Sequence, residues 1–242
     1  MIQMKTRELY KYKGVKNNMN ILAIDTTTKK ANVALKTNNE IVINSIDNEI
    51  THSEKLLPLI DKTLKDNLVN LKDIECLACT TGPGSFTGIR IGLATAKAIA
   101  KVTNAKIFAI DSLELLAHSS LNNIKAETNI IVSLIDAKNT RAYCRFYSYK
   151  NSTIYPICDA TNKYISDIIL EVQDKFPAEN VLYILDNENL IDLINSDNYV
   201  IASLDMHFLI ALANKATDFE NHLTLDATYV RNSEAERTKY GE

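Results

Sequence analysis

Tryptophan is absent from this chain and glycine is scarce, at six in 242 residues, alongside four prolines and four cysteines. So little glycine and proline excludes collagen-like and low-complexity chains, and no linker rich in either divides the sequence. Four cysteines in a chain this long do not read as a disulfide framework. Cys76 and Cys79 form a C-x-x-C, but within a strand-like run, where residues three apart point to opposite faces. No second pair or suitably spaced histidine completes a zinc site, so both read as buried strand cysteines. No apolar run approaches the roughly 20 residues of a membrane helix. The first eighteen residues carry Lys5, Arg7, Lys11, Lys13 and Lys16 against Glu8, with no hydrophobic segment after them, which excludes a secretory signal. Either Met19 begins the folded chain or residues 1–19 are a flexible extension. The tail holds five positive charges and one negative; against the whole-chain −3, the remainder carries −7. A body this acidic is a poor primary binder of nucleic acid, whose phosphates dominate affinity.

What glycine there is lies together. Gly82, Gly84, Gly88 and Gly92 fall in the run Thr81-Gly-Pro-Gly-Ser-Phe-Thr-Gly-Ile-Arg-Ile-Gly92. An apolar strand-like segment, 74–80, precedes it and a helix-like one, 86–101, follows. Strand, glycine turn and helix N-terminus together make a potential anion nest. Gly88, Gly92, Ala96 and Ala100 also recur every fourth residue, which makes a smooth helix face for close packing. The segment is therefore a phosphate cradle or a helix-docking surface.

The rest of the pattern is α/β. Strands are expected at 20–25, 31–37 and 40–46, followed by a helix over 51–68. A Thr51…Glu54 capping box opens that helix, and Leu56, Leu57, Ile60, Leu64 and Leu68 line one side. Pro58 should kink it. After the glycine helix come a strand at 106–110 and a helix at 112–121. Strands at 130–135, 142–149, 181–185 and 199–201 then alternate with helices near 163–175, 188–195 and 205–220. The halves echo each other at a constant offset of 111. Ile24-Asp25, a polar turn, Lys30 and Ala31 align with Ile135-Asp136, a polar turn, Arg141 and Ala142. The echo is either a chance product of common strand chemistry or a duplicated lobe with an Asp at the tip of each first hairpin, facing a shared cleft. Expected boundaries are 20–110 for the first lobe, 111–232 for the second and 233–242 for a tail.

These residues carry a resemblance. Ile21-Leu-Ala-Ile-Asp25-Thr26, His52-Ser-Glu54, Leu56-Leu-Pro58, the glycine run, Ala96-Lys97, Asp111-Ser-Leu113, Asp136-Ala137 and Tyr229-Val-Arg231 resemble the bacterial TsaB (YeaZ) family. The resemblance implies a two-lobed α/β fold of the actin/Hsp70/sugar-kinase (ribonuclease H-like) kind, duplicated, with mixed sheets. It implies a cytoplasmic, non-catalytic subunit of the complex forming threonylcarbamoyladenosine in tRNAs that read codons beginning with A. The implied partners are a TsaD-like catalytic subunit and a TsaE-like ATPase, or a second copy of this chain in their absence. tRNA is met only through the complex, and no membrane is involved.

Expected sites follow. The partner interface falls on the helices 51–68 and 86–101, at Leu56, Leu57, Ile60, Gly88, Gly92 and Ala96. Asp25, Thr26, Thr27 and Asp136 mark a degenerate nucleotide cleft. No glycine lies between Gly92 and Gly241, and Ala137-Lys138 stands where nucleotide-binding relatives typically carry a glycine, so neither cofactor nor catalytic residue is expected. His52, His118, His207 and His222 lack the H-x-x-x-H spacing of TsaD relatives, so no metal is expected. Ser85 lacks the G-x-S-x-G context of a nucleophile and is expected to cap its helix. The rival reading is a dinucleotide- or ATP-dependent enzyme with the glycine turn as phosphate cradle, since Gly82-x-Gly84-x-x-x-Gly88 nearly matches G-x-G-x-x-G.

Overall fold

A computed structural model describes residues 19–38, 40–47, 52–125 and 127–230. Thr51 of the expected capping box and the expected tail at 233–242 lie outside these, as does all of the expected extension except Met19. The first half begins with β1 (Ile21–Asp25), β2 (Lys30–Thr37) and β3 (Glu40–Asp47). It continues with α1 (His52–Asp66), β4 (Cys76–Thr80), α2 (Phe86–Thr103) and β5 (Lys106–Ile110). Every residue of β1 and β4 is buried, as the unbroken apolar runs ILAID and CLACT require of central strands. β3 alternates half-buried and exposed positions, as an edge strand does.

The second half begins with α3 (Ser112–Ser119), β6 (Ile130–Asp136), β7 (Arg141–Lys150), β8 (Thr153–Pro156) and β9 (Thr161–Tyr164). It ends with α4 (Ile165–Lys175), β10 (Val181–Leu185), α5 (Ile191–Ile194), β11 (Tyr199–Ile201) and α6 (Met206–Lys215). The sheet orders are β3-β2-β1-β4-β5 and β8-β7-β6-β10-β11. They match strand for strand, each with an antiparallel hairpin followed by two parallel strands. Asp25 and Asp136 close the first strand of each hairpin, at equivalent places. The sequence echo is a structural duplication.

α1 and α2 cover one face of the first sheet through Leu56, Ile60, Ile89 and Leu93. α4 and α5 cover the far face of the second through Ile168, Val172 and Ile194. α3 and α6 lie between the sheets, where Leu113, Leu116, Leu209 and Ile210 meet Ile21 and Ala78 of one and Ile131 and Ile184 of the other. Arg145 of β7 ties α3 to the second sheet, 3.7 Å from Asp111 and 3.5 Å from Glu114.

Three expectations change. The last helix stops at Lys215 instead of running to Glu220. The chain beyond it crosses back to the first half, where Glu220 pairs with Ile107 through two backbone hydrogen bonds of 2.8 and 3.0 Å and covers the free edge of β5. The short strands β8 and β9 were not expected, since Thr-Ile-Tyr-Pro and Thr-Asn-Lys-Tyr are too brief and polar to signal strands. Leu68 does not line the buried side of α1. It follows the helix end in a left-handed conformation (φ 57°), 93% exposed. Pro58 lies inside α1 without ending it.

Candidate functional site

The glycine turn is a joint within the chain. Gly82 has φ 105°, which a side chain rarely adopts, and its carbonyl accepts from the Ser112 N–H at 2.7 Å. The Ser85 N–H donates to the Thr27 carbonyl at 2.7 Å. Ser85 caps α2 as expected, its hydroxyl accepting from the Gly88 N–H at 3.2 Å. A Cβ on Gly88 would overlap the Thr26 carbonyl oxygen, and one on Gly92 would overlap the Thr26 hydroxyl. That hydroxyl donates to the Gly88 carbonyl at 2.7 Å. The smooth face of α2 is therefore filled by the β1–β2 turn of its own chain. This corrects the expected interface: Gly88, Gly92, Ala96, Leu56 and Ile60 are buried in the chain's own core, and only Leu57, 58% exposed, faces outward.

Asp25 is fully buried. Its Oδ1 accepts from the Thr27 N–H (3.1 Å) and from the hydroxyls of Thr27 and Thr80 (both 2.7 Å), and its Oδ2 accepts from Asn32 Nδ2 (3.3 Å). Such a carboxylate is consumed in shaping its own turn and tying it to β2 and β4. Between the two hairpins lies a cleft of about 600 Å³, lined among others by Thr27, Lys29, Lys30, Asp136, Lys138 and Asp186. Of the four expected cleft residues, Thr27 and Asp136 reach it, whereas Asp25 and Thr26 are turned inward. Lys138 folds back on Asp136, its backbone N–H 2.7 Å from Oδ1 and its ammonium 3.1 Å from Oδ2. Sequence reading missed Asp186, at the end of β10. Its Oδ1 accepts from the Asp136 N–H (3.0 Å) and from Asn187 (2.7 Å), and burial, with help from the Asp136 charge, pushes its carboxyl up to about 6. Among the described residues no group of three His, Cys, Asp or Glu side chains is placed to hold a metal. None of their helices is long and apolar enough to cross a membrane.

The outer side of α1 and α2 is different. The two helices touch each other over the first sheet and turn exposed apolar residues to solvent. These are Leu57 at 58%, Leu68 at 93% and Val102 at 68% exposed, together with Ala94 and Ala98. The apolar periodicity counted Leu68 within α1, because a helix pattern does not show where the helix stops.

Residues 23–222 match the family model described as TsaD: tRNA N6-adenosine threonylcarbamoyltransferase. Curated relatives named tRNA threonylcarbamoyladenosine biosynthesis protein TsaB include one from Haemophilus influenzae, 34% identical over 52% of this chain and 52% of its own length. Another, from Bacillus subtilis, is 30% identical over 65% of this chain and 67% of its own. A third, from Buchnera aphidicola of Schizaphis graminum, is 31% identical over 68% and 76%. The match thus spans about half the length of the first and three quarters of the third. Among solved structures, YeaZ from Pseudomonas aeruginosa superposes with a TM-score of 0.72 at 18% identity, over 87% of this chain and 99% of that one, which shows the same fold.

Proposed function

The chain belongs to the family of the TsaD model and, within it, to the TsaB proteins, and on that premise we propose that it is the non-catalytic subunit of a complex forming threonylcarbamoyladenosine in tRNA. Its task is to dock a TsaD-like catalytic subunit on the outer side of α1 and α2, with a TsaE-like ATPase joining the assembly and a second copy of this chain taking the place when the partner is missing. The carrying observation is the apolar exposure of Leu57 and Val102 on two adjoining helices, with Leu68 just past the end of α1. Lone exposed apolar residues mean little, but a group on one face marks a contact surface. Independence from catalysis is supported by the glycine turn, whose Gly82 carbonyl and Ser85 N–H are engaged within the chain, and by Asp25, whose oxygens are taken up by Thr27, Thr80 and Asn32.

The test measures threonylcarbamoylation of tRNA by this chain alone, by the TsaD-like subunit alone and by the two together. The expected result is no turnover from this chain alone and more from the pair than from the subunit alone. Turnover by this chain alone, or a pair no faster than the subunit, overturns the proposal.

A further inference from the structure

The segment after α6 ends on the N-terminal turns of α2. Leu225 is buried under it, the Thr228 N–H donates to the Thr81 carbonyl at 2.8 Å, and the Thr81 and Thr228 hydroxyls lie 2.9 Å apart. Tyr229 then rests against Phe86, ring centroids 5.0 Å apart. The Arg90 guanidinium lies 3.9 Å from the Phe86 ring centroid, and its Nε donates to the Tyr229 hydroxyl at 3.1 Å. Arg90 is exposed and Tyr229 is 46% exposed. One aromatic ring and one hydrogen bond thus fix the side chain and leave the two Nη atoms for another acceptor. A fixed, planar donor fork suits a carboxylate, because the ordering cost is met before the partner arrives.

This cluster continues the docking face. Arg90, Ala94 and Ala98 are exposed and follow one another at every fourth residue, so they share the outer side of α2. The charge along the helix is one-sided. α2 carries Arg90, Lys97 and Lys101 and no Asp or Glu, whereas α1 balances its charges with the exposed pairs Lys62–Asp66 and Lys65–Asp61. In a chain whose net charge is −3, the exposed Arg90 and Lys101 suit an acidic counterpart from outside, whereas Lys97 already faces the charge of Glu220.

We infer that the C-terminal strap is part of the partner-binding surface: Tyr229 and Phe86 hold Arg90 to receive a carboxylate from an acidic face of the catalytic subunit that lies over Ala94 and Ala98. This rests on the docking reading above and adds to it the anchor, the sign of the partner's surface and a role for the end of the chain. Tyr, Phe and Arg are the side chains that concentrate binding energy at interfaces, and a preset arginine at one end would fix the register of two crossing helices. RNA is the other acidic counterpart, but the exposed alanines that follow the anchor along α2 suit a protein face better than phosphates.

The experiment measures affinity for the purified TsaD-like subunit at low and high salt, with thermal melts and a tRNA-retention assay alongside. The variants are Arg90→Glu, Arg90→Lys, Tyr229→Ala and Ala98→Glu. Arg90→Glu is expected to weaken binding by at least about tenfold and to remove most of its salt dependence, with the melt unchanged. Arg90→Lys keeps the charge but not the fork and should fall between it and wild type. Tyr229→Ala should weaken binding several-fold. Loss of binding in Ala98→Glu with wild-type affinity in the Arg90 and Tyr229 variants overturns this inference and leaves the docking proposal standing. Wild-type affinity in Ala98→Glu as well removes both. An Arg90→Glu protein that keeps its partner but loses tRNA retention, or loses only self-association, also overturns the inference, because the carboxylate then does not belong to the catalytic subunit.

Discussion

At the residue scale, two backbone positions separate what folding demands from what it tolerates. Gly88 faces the Thr26 carbonyl oxygen so closely that a methyl group has no room. Gly88→Ala should force α2 away from the β1–β2 turn and disturb the Thr26–Gly88 hydrogen bond, lowering stability by about 1–3 kcal/mol, which a chemical-denaturation curve checks. Leu68 is the opposite case, a bulky left-handed residue with its side chain in solvent. Leu68→Gly should stabilise the isolated chain by about 1 kcal/mol and, on the docking proposal, weaken partner binding; unfolding curves and binding titrations measure the two effects separately. Sequence could show that the glycines were needed, since four of six occupy eleven positions. It could not show that their neighbour is Thr26 of the same chain, because that contact joins segments more than 60 residues apart.

At the scale of elements, local chemistry told most of the story where it was strong. The apolar runs of β1 and β4, the alternation of β2 and the Ser85 cap were legible because strand period and cap chemistry are written in consecutive residues. Where an element's end is decided by distant contacts, the reading failed. Ala213 to Glu220 looks helical, yet the pairing of Glu220 with Ile107 pulls the chain straight after Lys215. The same limit governed the site. Small residues at every fourth position of α2 signal close packing, but both sides of the helix carry such a stripe. Gly88, Gly92 and Ala96 serve the core, while Ala94 and Ala98 face outward. A two-residue misjudgement of which stripe looks out moves the interface from one side of the helix to the other.

At the scale of the whole molecule, two buried groups shape the response to pH in opposite senses. The Asp186 carboxyl is raised to about 6 by burial, so the folded chain holds its proton more tightly than the unfolded one. The resulting stability is fully present below the ordinary carboxylate range near 3.8 and is lost as pH rises through about 6. Burial lowers His118 from 6.5 to about 4, so acidification below 6.5 favours the unfolded state that takes up the proton. Asp186→Asn keeps the acceptor for the Asp136 N–H and removes the charge. It should raise stability at pH 7 by on the order of 1–3 kcal/mol, with the gain over wild type vanishing as pH falls from 6 to 4; melts across that range check it. The duplication, by contrast, was visible from sequence through the 111-residue offset, because both hairpins kept an Ile-Asp strand end. The larger arrangement places the closed glycine joint inside and the apolar side of α1 and α2 outside, and the proposal that this face docks a TsaD-like subunit has one most direct measurement. It is the dissociation constant of the complex for wild type and for the double variant Leu57→Asp, Val102→Asp, whose two positions are exposed and leave the core untouched. The expected result is a loss of at least about a hundredfold in affinity, as for two central apolar contacts, with an unchanged melting temperature. Wild-type affinity in a correctly folded double variant would contradict it.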